Sequence, residues 1–224
     1  MFQVLARTGV EGLAQPELDK YTYTIKEEER AEIVEKKSRF ISYAFKVTSE
    51  EEAQEKLNII KKKYPDATHH VYAYLIRDKE NFYQKYSDDR EPSATAGLPV
   101  LEVLKNENME NVMIIVVRYF GGTLLGTGGL IKAYTESAKE VLLKAQILKR
   151  VYCAIYKIEV EYPIFERIKR LLEEHPILDT KFTDKVTVRL AVEDLKAQDI
   201  IDKINELTNS RFEIEQEKNI FLEI

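Results

Sequence analysis

The sequence predicts an α+β protein of two domains, and three observations carry that prediction. The chain has 224 residues, enough for two ordinary domains. Alternating strand patterns and amphipathic helical patterns follow one another along it. Near Val151 a fresh pattern starts, in the order β-α-β-β-α-β of the ferredoxin-like arrangement. The expected division is a leader over 1–18, a first domain over 19–149 and a second over 150–224.

The elements follow from local pattern. Tyr21-Thr22-Tyr23-Thr24-Ile25 alternates like an edge strand, and the charged run Lys26 to Glu32 reads as a turn. Arg39 to Val47 alternates again. Ser49 and Glu52 form a Ser-x-x-Glu capping box ahead of a helix with Ala53, Leu57, Ile60 and Tyr64 at helical spacing, which stops before Pro65. Strands are expected at His70–Ile76 and Asn81–Tyr86, then a polar loop over 87–97. Leu98 to Lys105 is a short helix with Pro99 in its first turn, where a missing N–H costs nothing. Asn111 to Phe120 is the most buried strand. A glycine-rich turn follows, then a helix reaching about Leu148, with Ile131, Tyr134, Ala138, Val141, Leu142 and Ala145 on one face. In the second domain, Val151–Tyr162 is a strand and Pro163 opens a helix that ends near His175-Pro176. Ile177–Phe182 and Lys185–Val192 pair, Glu193–Leu207 is helical, and Arg211–Ile224 is the last strand.

Composition narrows the class. Hydrophobic residues make up 44% and charged residues 33%, as in a soluble globular protein. No apolar run is long enough to span a membrane, and Met1 to Leu18 lacks the basic start and long apolar core of a secretory signal. That leader is taken as non-native or disordered. Cys153 is the only cysteine, which rules out a disulfide framework or a Cys-based zinc site and fits a cytoplasmic location. Net charge is −5, and the basic and acidic residues balance at 23 each over 1–150. Residues 151–224 carry 11 Lys+Arg against 16 Asp+Glu. Neither half is a basic nucleic-acid-binding domain, so any RNA contact must come from a local patch, and no DNA or membrane partner is expected.

Five of the eight glycines stand at 121, 122, 126, 128 and 129, between the buried strand and a helix start. Free N–H groups there suit an anion. Equally, glycine serves tight packing of strand, turn and helix, and that is the preferred reading. Neither a Walker nor a Rossmann spacing is present. Ser87-Asp88-Asp89 with Glu91 fits backbone capping in a turn, ligand contact, or a divalent cation, the first being favoured. His69 and His70 are adjacent in a strand and face opposite sides, so one metal cannot easily take both. Arg118 and Tyr119 end the buried strand beside the glycines, with Arg118 placed to meet a phosphate or to pair with Asp88 or Asp89. Lys61-Lys62-Lys63 at a helix end is explained by the helix dipole, with RNA phosphate as the alternative. No Ser-His-Asp or Cys-His set assembles. No catalytic residue is assigned, and neither a metal nor a cofactor is expected.

Four stretches together resemble one family. They are Lys37-Ser38-Arg39-Phe40, His69-His70, Ser87-Asp88-Asp89-x-Glu91-Pro92-x-x-Thr95-Ala96-Gly97-x-Pro99, and Val117-Arg118-Tyr119-Phe120-Gly121-Gly122-x-Leu124-Leu125-Gly126-x-Gly128-Gly129-Leu130-Ile131-x-Ala133-Tyr134. They resemble the IMPACT family, in its bacterial branch, over about residues 20–224. One departure stands out: Arg90 occupies a position where the family pattern usually has glycine. The resemblance implies a first domain similar to the second domain of a small-subunit ribosomal protein and to elongation factor G domain IV. It implies a ferredoxin-like second domain, and kinship with eukaryotic regulators of translation initiation. The expected function is a translation-linked binding protein that engages ribosome, RNA or a translation factor. The expected cleft is lined by His70, Asp88, Asp89, Glu91, Arg118, Tyr119, Gly121, Gly122, Gly128 and Gly129. The alternatives are an enzyme binding a phosphorylated small molecule or nucleotide at the glycine-rich helix start, and an adaptor presenting the sheet of the acidic second domain.

Overall fold

A computed structural model describes residues 21–78 and 81–224; the expectation for the leader lies outside the described residues. The first half of the chain runs β1 (Tyr21–Ile25), β2 (Glu29–Glu35), β3 (Ser38–Lys46), α1 (Glu50–Lys63), β4 (His69–Asp78), β5 (Asn81–Ser87), α2 (Gly97–Asn106), β6 (Val112–Tyr119) and α3 (Gly126–Lys144). Then come β7 (Ile147–Val160), α4 (Tyr162–Leu172), β8 (Ile177–Phe182), β9 (Val186–Glu193), α5 (Ala197–Thr208) and β10 (Glu213–Glu223). The result is a two-domain α+β protein with two antiparallel sheets.

The first sheet has the order β2-β3-β6-β4-β5. Its central strand β6 is buried at every position except Tyr119, because helices cover both faces. Val112, Ile114 and Val116 pack under α2 and α3 with Phe40, Leu104 and Tyr134. Met113, Ile115 and Val117 face α1 through Ala53, Leu57 and Ile60. α1 begins where the capping signal placed it: Ser49 Oγ accepts the Glu52 N–H at 3.2 Å. The Glu52 carboxylate, however, returns to the backbone N–H of Thr48 at 2.7 Å rather than to that of Ser49.

Three boundaries differ from the sequence reading. The run read as a turn over Lys26–Glu32 gives way at Glu29 to strand β2, whose Ala31 and Ile33 point into the core while its charges face water on a sheet edge. α3 stops at Lys144 rather than near Leu148, since Ala145 is already extended and Ile147–Val151 pairs with β1. Ile131 is half exposed, and the packed stripe instead runs through Leu130, Ala133, Tyr134, Ala138 and Val141. The segment from Glu193 opens with a 3-10 turn at Asp194–Lys196 before α5.

After residue 146 the element order is β-α-β-β-α-β, and β7 is flanked by β10 and β9, with β8 outside β9. α4 and α5 bury Ile164, Ile168, Ile200 and Ile204 against Ile158, Val188 and Leu190. The second sheet also takes in β1 from the first part of the chain. Ile147–Val151 pairs with β1 from the start of the described chain, and Cys153–Val160 pairs with β9. No helix among the described residues is long and apolar enough to cross a membrane.

Where the halves meet, Glu110 is 2% exposed and receives Arg77 Nε on one carboxylate oxygen. Its other oxygen accepts from Arg150 Nη1 and, at 3.1 Å, from Thr22 Oγ1. The Arg150 guanidinium lies 4.8 Å over the Phe221 ring, and Lys46 meets Glu223 at 2.5 Å. A charge shut away from water must be paired, so removing one member leaves the others stranded. Glu110→Gln should therefore cost about 3–5 kcal/mol of unfolding free energy. In urea titrations the midpoint should fall with the slope unchanged. A loss below about 1 kcal/mol would mean that surface-like screening governs this joint.

Candidate functional site

One end of the first sheet gathers residues from all four stretches that carry the family resemblance. The β2–β3 turn, with Lys36 and Lys37 at φ 44° and 68°, sits beside the end of β6, because Arg39 pairs with Tyr119 across the ladder. His69 pairs with Arg118 on the other side of β6. The turn after α1 is tied in through the Thr68 N–H, which donates to the Arg118 carbonyl at 2.9 Å. Thr68 Oγ1 accepts the Phe120 N–H at 3.2 Å.

The acidic loop is spent on its own backbone. Asp88 accepts the N–H groups of Ala94 at 2.9 Å, Ala96 at 3.1 Å and Gly97 at 2.8 Å. Ala96 at the N-cap of α2 has no side chain able to cap, so Asp88 supplies that function from eight residues upstream. Asp89 accepts the His70 N–H at 2.7 Å, and its carbonyl lies 2.8 Å from His69 Nδ1. A carbonyl only accepts, so His69 carries its proton on Nδ1. By the same argument His70 donates from Nε2 to the Tyr64 carbonyl at 3.0 Å. Burial holds the His70 imidazole below its usual range, opposed by the Tyr64 carbonyl and Asp89. Arg90 takes φ 71°, a left-handed conformation natural to glycine.

Arg118 pairs inside the protein with Glu91 rather than with Asp88 or Asp89. Its Nη1 is 2.5 Å from Glu91 Oε1, and the two side chains are 6% and 4% exposed. Tyr134 donates to the same oxygen at 2.8 Å. Burial, reinforced by the Glu91 charge, drives the Tyr134 phenol far above its ordinary range and keeps it a donor. Arg118 Nη2 reaches Ser38 Oγ at 3.4 Å, which also accepts the Gly121 N–H at 3.1 Å. The guanidinium is flanked by the rings of Phe40 at 5.3 Å and Phe120 at 5.8 Å. Tyr119, next along the strand, faces the α1 side, where its hydroxyl donates to Asp66 at 2.9 Å and Arg39 lies 5.6 Å over its ring.

The ten expected site residues lie towards one end of the sheet, spread over both of its faces. Arg118, Glu91 and His70 are buried structure, and Tyr119 lies on the opposite face from Arg118. Gly122 is exposed in the turn, and Gly129 sits in the first turn of α3 against Leu125. Two cavities among the described residues lie away from this end. One of about 430 Å³ is lined by Tyr23, Met109, Leu142 and Ile147, and another of about 250 Å³ lies between Glu50, Tyr72 and Tyr74. Among the described residues no group of three or more His, Cys, Asp and Glu could hold a metal ion. Sequence reasoning missed Ser38 as the hub of the Gly121 and Arg118 contacts, and Tyr134 as a polar partner. Both stood within the quoted motifs, but a helical apolar stripe masked the hydroxyl of Tyr134.

Exposed at this end is a mainly cationic rim of Lys36, Lys37, Arg39, Lys61, Lys62, Lys63 and Arg90, broken by Asp66 and by the Glu32 that pairs with Arg39, with the apolar side chains of Phe120 and Leu124 beside it. Of the glycines, Gly121 is there for packing: a Cβ would stand 2.1 Å from the Lys37 carbonyl carbon. Gly128, in the first turn of α3, has nothing within 4 Å of a Cβ. Gly121→Ala should accordingly destabilise by about 2 kcal/mol or more. Gly128→Ala should leave stability unchanged or raise it by about 0.5–1 kcal/mol. Thermal unfolding of the two variants checks the contrast, and equal losses would contradict it.

Comparison with known proteins bears on this end directly. Residues 36–142 match the model of the Impact N-terminal domain, and residues 158–211 match a domain of unknown function, DUF1949. The chain is 37% identical to the IMPACT family member YvyE of Bacillus subtilis, covering 90% of this chain and 93% of that protein. It is 30% identical to the IMPACT family member YigZ of Escherichia coli, covering 80% of this chain and 89% of that one. A crystal structure of a hypothetical protein superposes with a TM-score of 0.58 at 27% identity, over 90% of this chain and 99% of the other.

Proposed function

The chain belongs to the IMPACT family, and we propose on that premise that it is a translation-linked binding protein. It engages ribosomal RNA phosphates through the cationic rim of its first domain. The observation that carries this reading is the sorting of charge at one end of the sheet. Asp88, Asp89 and Glu91 turn their carboxylates inward onto backbone and Arg118, leaving Lys36, Lys37, Arg39, Lys61, Lys62, Lys63 and Arg90 outward. With a net charge of −5 the molecule as a whole is not drawn to nucleic acid, so attraction is confined to this rim. A translation factor is a second reading, favoured by Leu124, which is 83% exposed at the tip of the glycine-rich turn.

The finer fold likenesses belong to the same proposal. The strand order β10-β7-β9-β8 with two helices supports a ferredoxin-like second domain. The resemblance to elongation factor G domain IV is assigned to the first. Separate cores over 19–149 and 150–224 support the proposed division, although β7 crosses it. A cytoplasmic location follows from a translational role, and the single buried thiol of Cys153 is consistent with it.

Co-sedimentation with bacterial ribosomes tests the function. Retention should fall steeply as salt rises, and the charge reversals Arg39→Glu with Lys62→Glu should reduce it by about tenfold or more. Lys169→Glu, in the second domain, should not. Retention that ignores both salt and the rim reversals would exclude phosphate contact at this end and leave the Leu124 tip as the contact to examine.

A further inference from the structure

On the α1 side of the rim, two phenols, Arg30 and Lys63 lie together, and the one carboxylate beside them, Glu32, is taken by Arg30 and Arg39. The hydroxyls of Tyr43 and Tyr64 are 2.6 Å apart, close enough that one donates to the other. Tyr43 is stacked on Phe45, with ring centroids 5.8 Å apart, and lies directly across the β2–β3 ladder from Arg30. The Lys63 ammonium is 5.0 Å from the Tyr43 ring centroid and 5.7 Å from that of Tyr64. Among the described residues Lys63 has no carboxylate within ion-pair range. Arg30 and Arg39 share a single one, Glu32, at 2.5 Å and 3.0 Å.

This is an excess of donors over acceptors. A pair of hydroxyls uses one proton between its own oxygens and keeps the second for another acceptor. Arg30 and Lys63 bring donors that cannot accept, and Glu32 neutralises only part of their charge. Burial by itself would raise both phenols; hydrogen bonding from Tyr64, Lys63 and Arg30 brings that of Tyr43 below its ordinary range, while burial and the bond to Tyr43 raise that of Tyr64. Packing alone accounts for the stacked ring of Tyr43, and the dipole of α1 accounts for a lysine at its end. Neither accounts for two hydroxyls and Arg30 converging on the same spot.

We propose that Arg30, Tyr43, Lys63 and Tyr64 form a subsite for a phosphate oxyanion of an RNA backbone. This rests on the rim reading above and deepens it by naming the chemical group bound. The subsite adjoins the expected motif residues, since the carbonyl of Tyr64 accepts from His70 and the Tyr119 hydroxyl is held by Asp66, two residues further along the chain. The ring of Tyr43 is itself buried in the core that faces α1, so its part in the subsite is its hydroxyl.

The test uses the full chain with ring-carbon-labelled tyrosine, observed by NMR. Inorganic phosphate is titrated at constant ionic strength against a chloride control, and a short oligouridylate is titrated separately. The Tyr43 and Tyr64 signals should move saturably with both probes and stay still in chloride. The paired change Tyr43→Phe with Tyr64→Phe, which keeps both rings, should weaken the oligonucleotide by about tenfold. Arg30→Gln with Lys63→Gln, both at exposed positions, should abolish the phosphate response. Tyrosine signals that ignore both probes would overturn the subsite, and a response to phosphate without one to the oligonucleotide would overturn its assignment to RNA. If ribosome retention persists while the tyrosines stay silent, the subsite fails and the rim reading stands. If the tyrosines respond but ribosomes are not retained, the subsite stands and the ribosomal role fails.

Discussion

Glu91 is a loop carboxylate folded into the interior of the first domain, and three parts of the chain take their position from it. It receives Arg118 from the end of the central strand and Tyr134 from α3, while its own loop is drawn against β4 by Asp89. A buried ion pair of this kind adds little to stability over an apolar substitute, but each partner is intolerable without the other. Its effect is to make one arrangement of loop, strand and helix much better than its alternatives. The β2–β3 turn then joins through Ser38, whose hydroxyl accepts both the Arg118 and Gly121 donors.

That constraint decides the character of the surface. With the loop carboxylates committed inward, lysines and arginines outnumber Asp66 among the turn residues left outside, and the rim is basic although the chain is acidic. The charge asymmetry is therefore made by hydrogen-bond satisfaction in a loop rather than by composition. It also explains why counting charges per domain found no basic half.

The larger elements were legible because each rests on a local rule. The run Val112 to Val117 reads as a doubly covered strand, Ser49 and Glu52 mark the start of α1, and Pro163 marks that of α4. The misread boundaries are those where tertiary pairing overrides local preference. Glu29–Glu35 looks like a charged turn until β3 offers it a ladder, and Ile147 leaves a helical pattern because β1 is there to pair with it. The motif residues were found by their types, but their facing was not. Adjacent Arg118 and Tyr119 point to opposite sides of a sheet that is covered on both, and only the coverage shows which side leads to solvent. The ion-pair joint at Glu110 was invisible for a related reason. Arg77, Glu110 and Arg150 are scattered along the chain and carry no spacing rule.

The chain joins its two sheets twice, between β1 and β2 and between α3 and β7, and both junctions are short. Most two-domain chains place a loop at the boundary, where torsion costs little and a protease can cut. Here β1 and β7 lie in one sheet, and backbone bonds from Tyr23 to Asn108 and from Glu110 to Tyr23 pin that sheet to the first domain beside the Glu110 ion pairs, so swinging one half would break all of these at once. The distance from the basic end of the first domain to the acidic sheet of the second is built in, as in a caliper locked at one setting. A partner large enough to touch both must match that span as it stands. An insertion or deletion between residues 147 and 160 would flip the facing of every side chain beyond it, so the length of this strand is under as tight a constraint as any residue in the core.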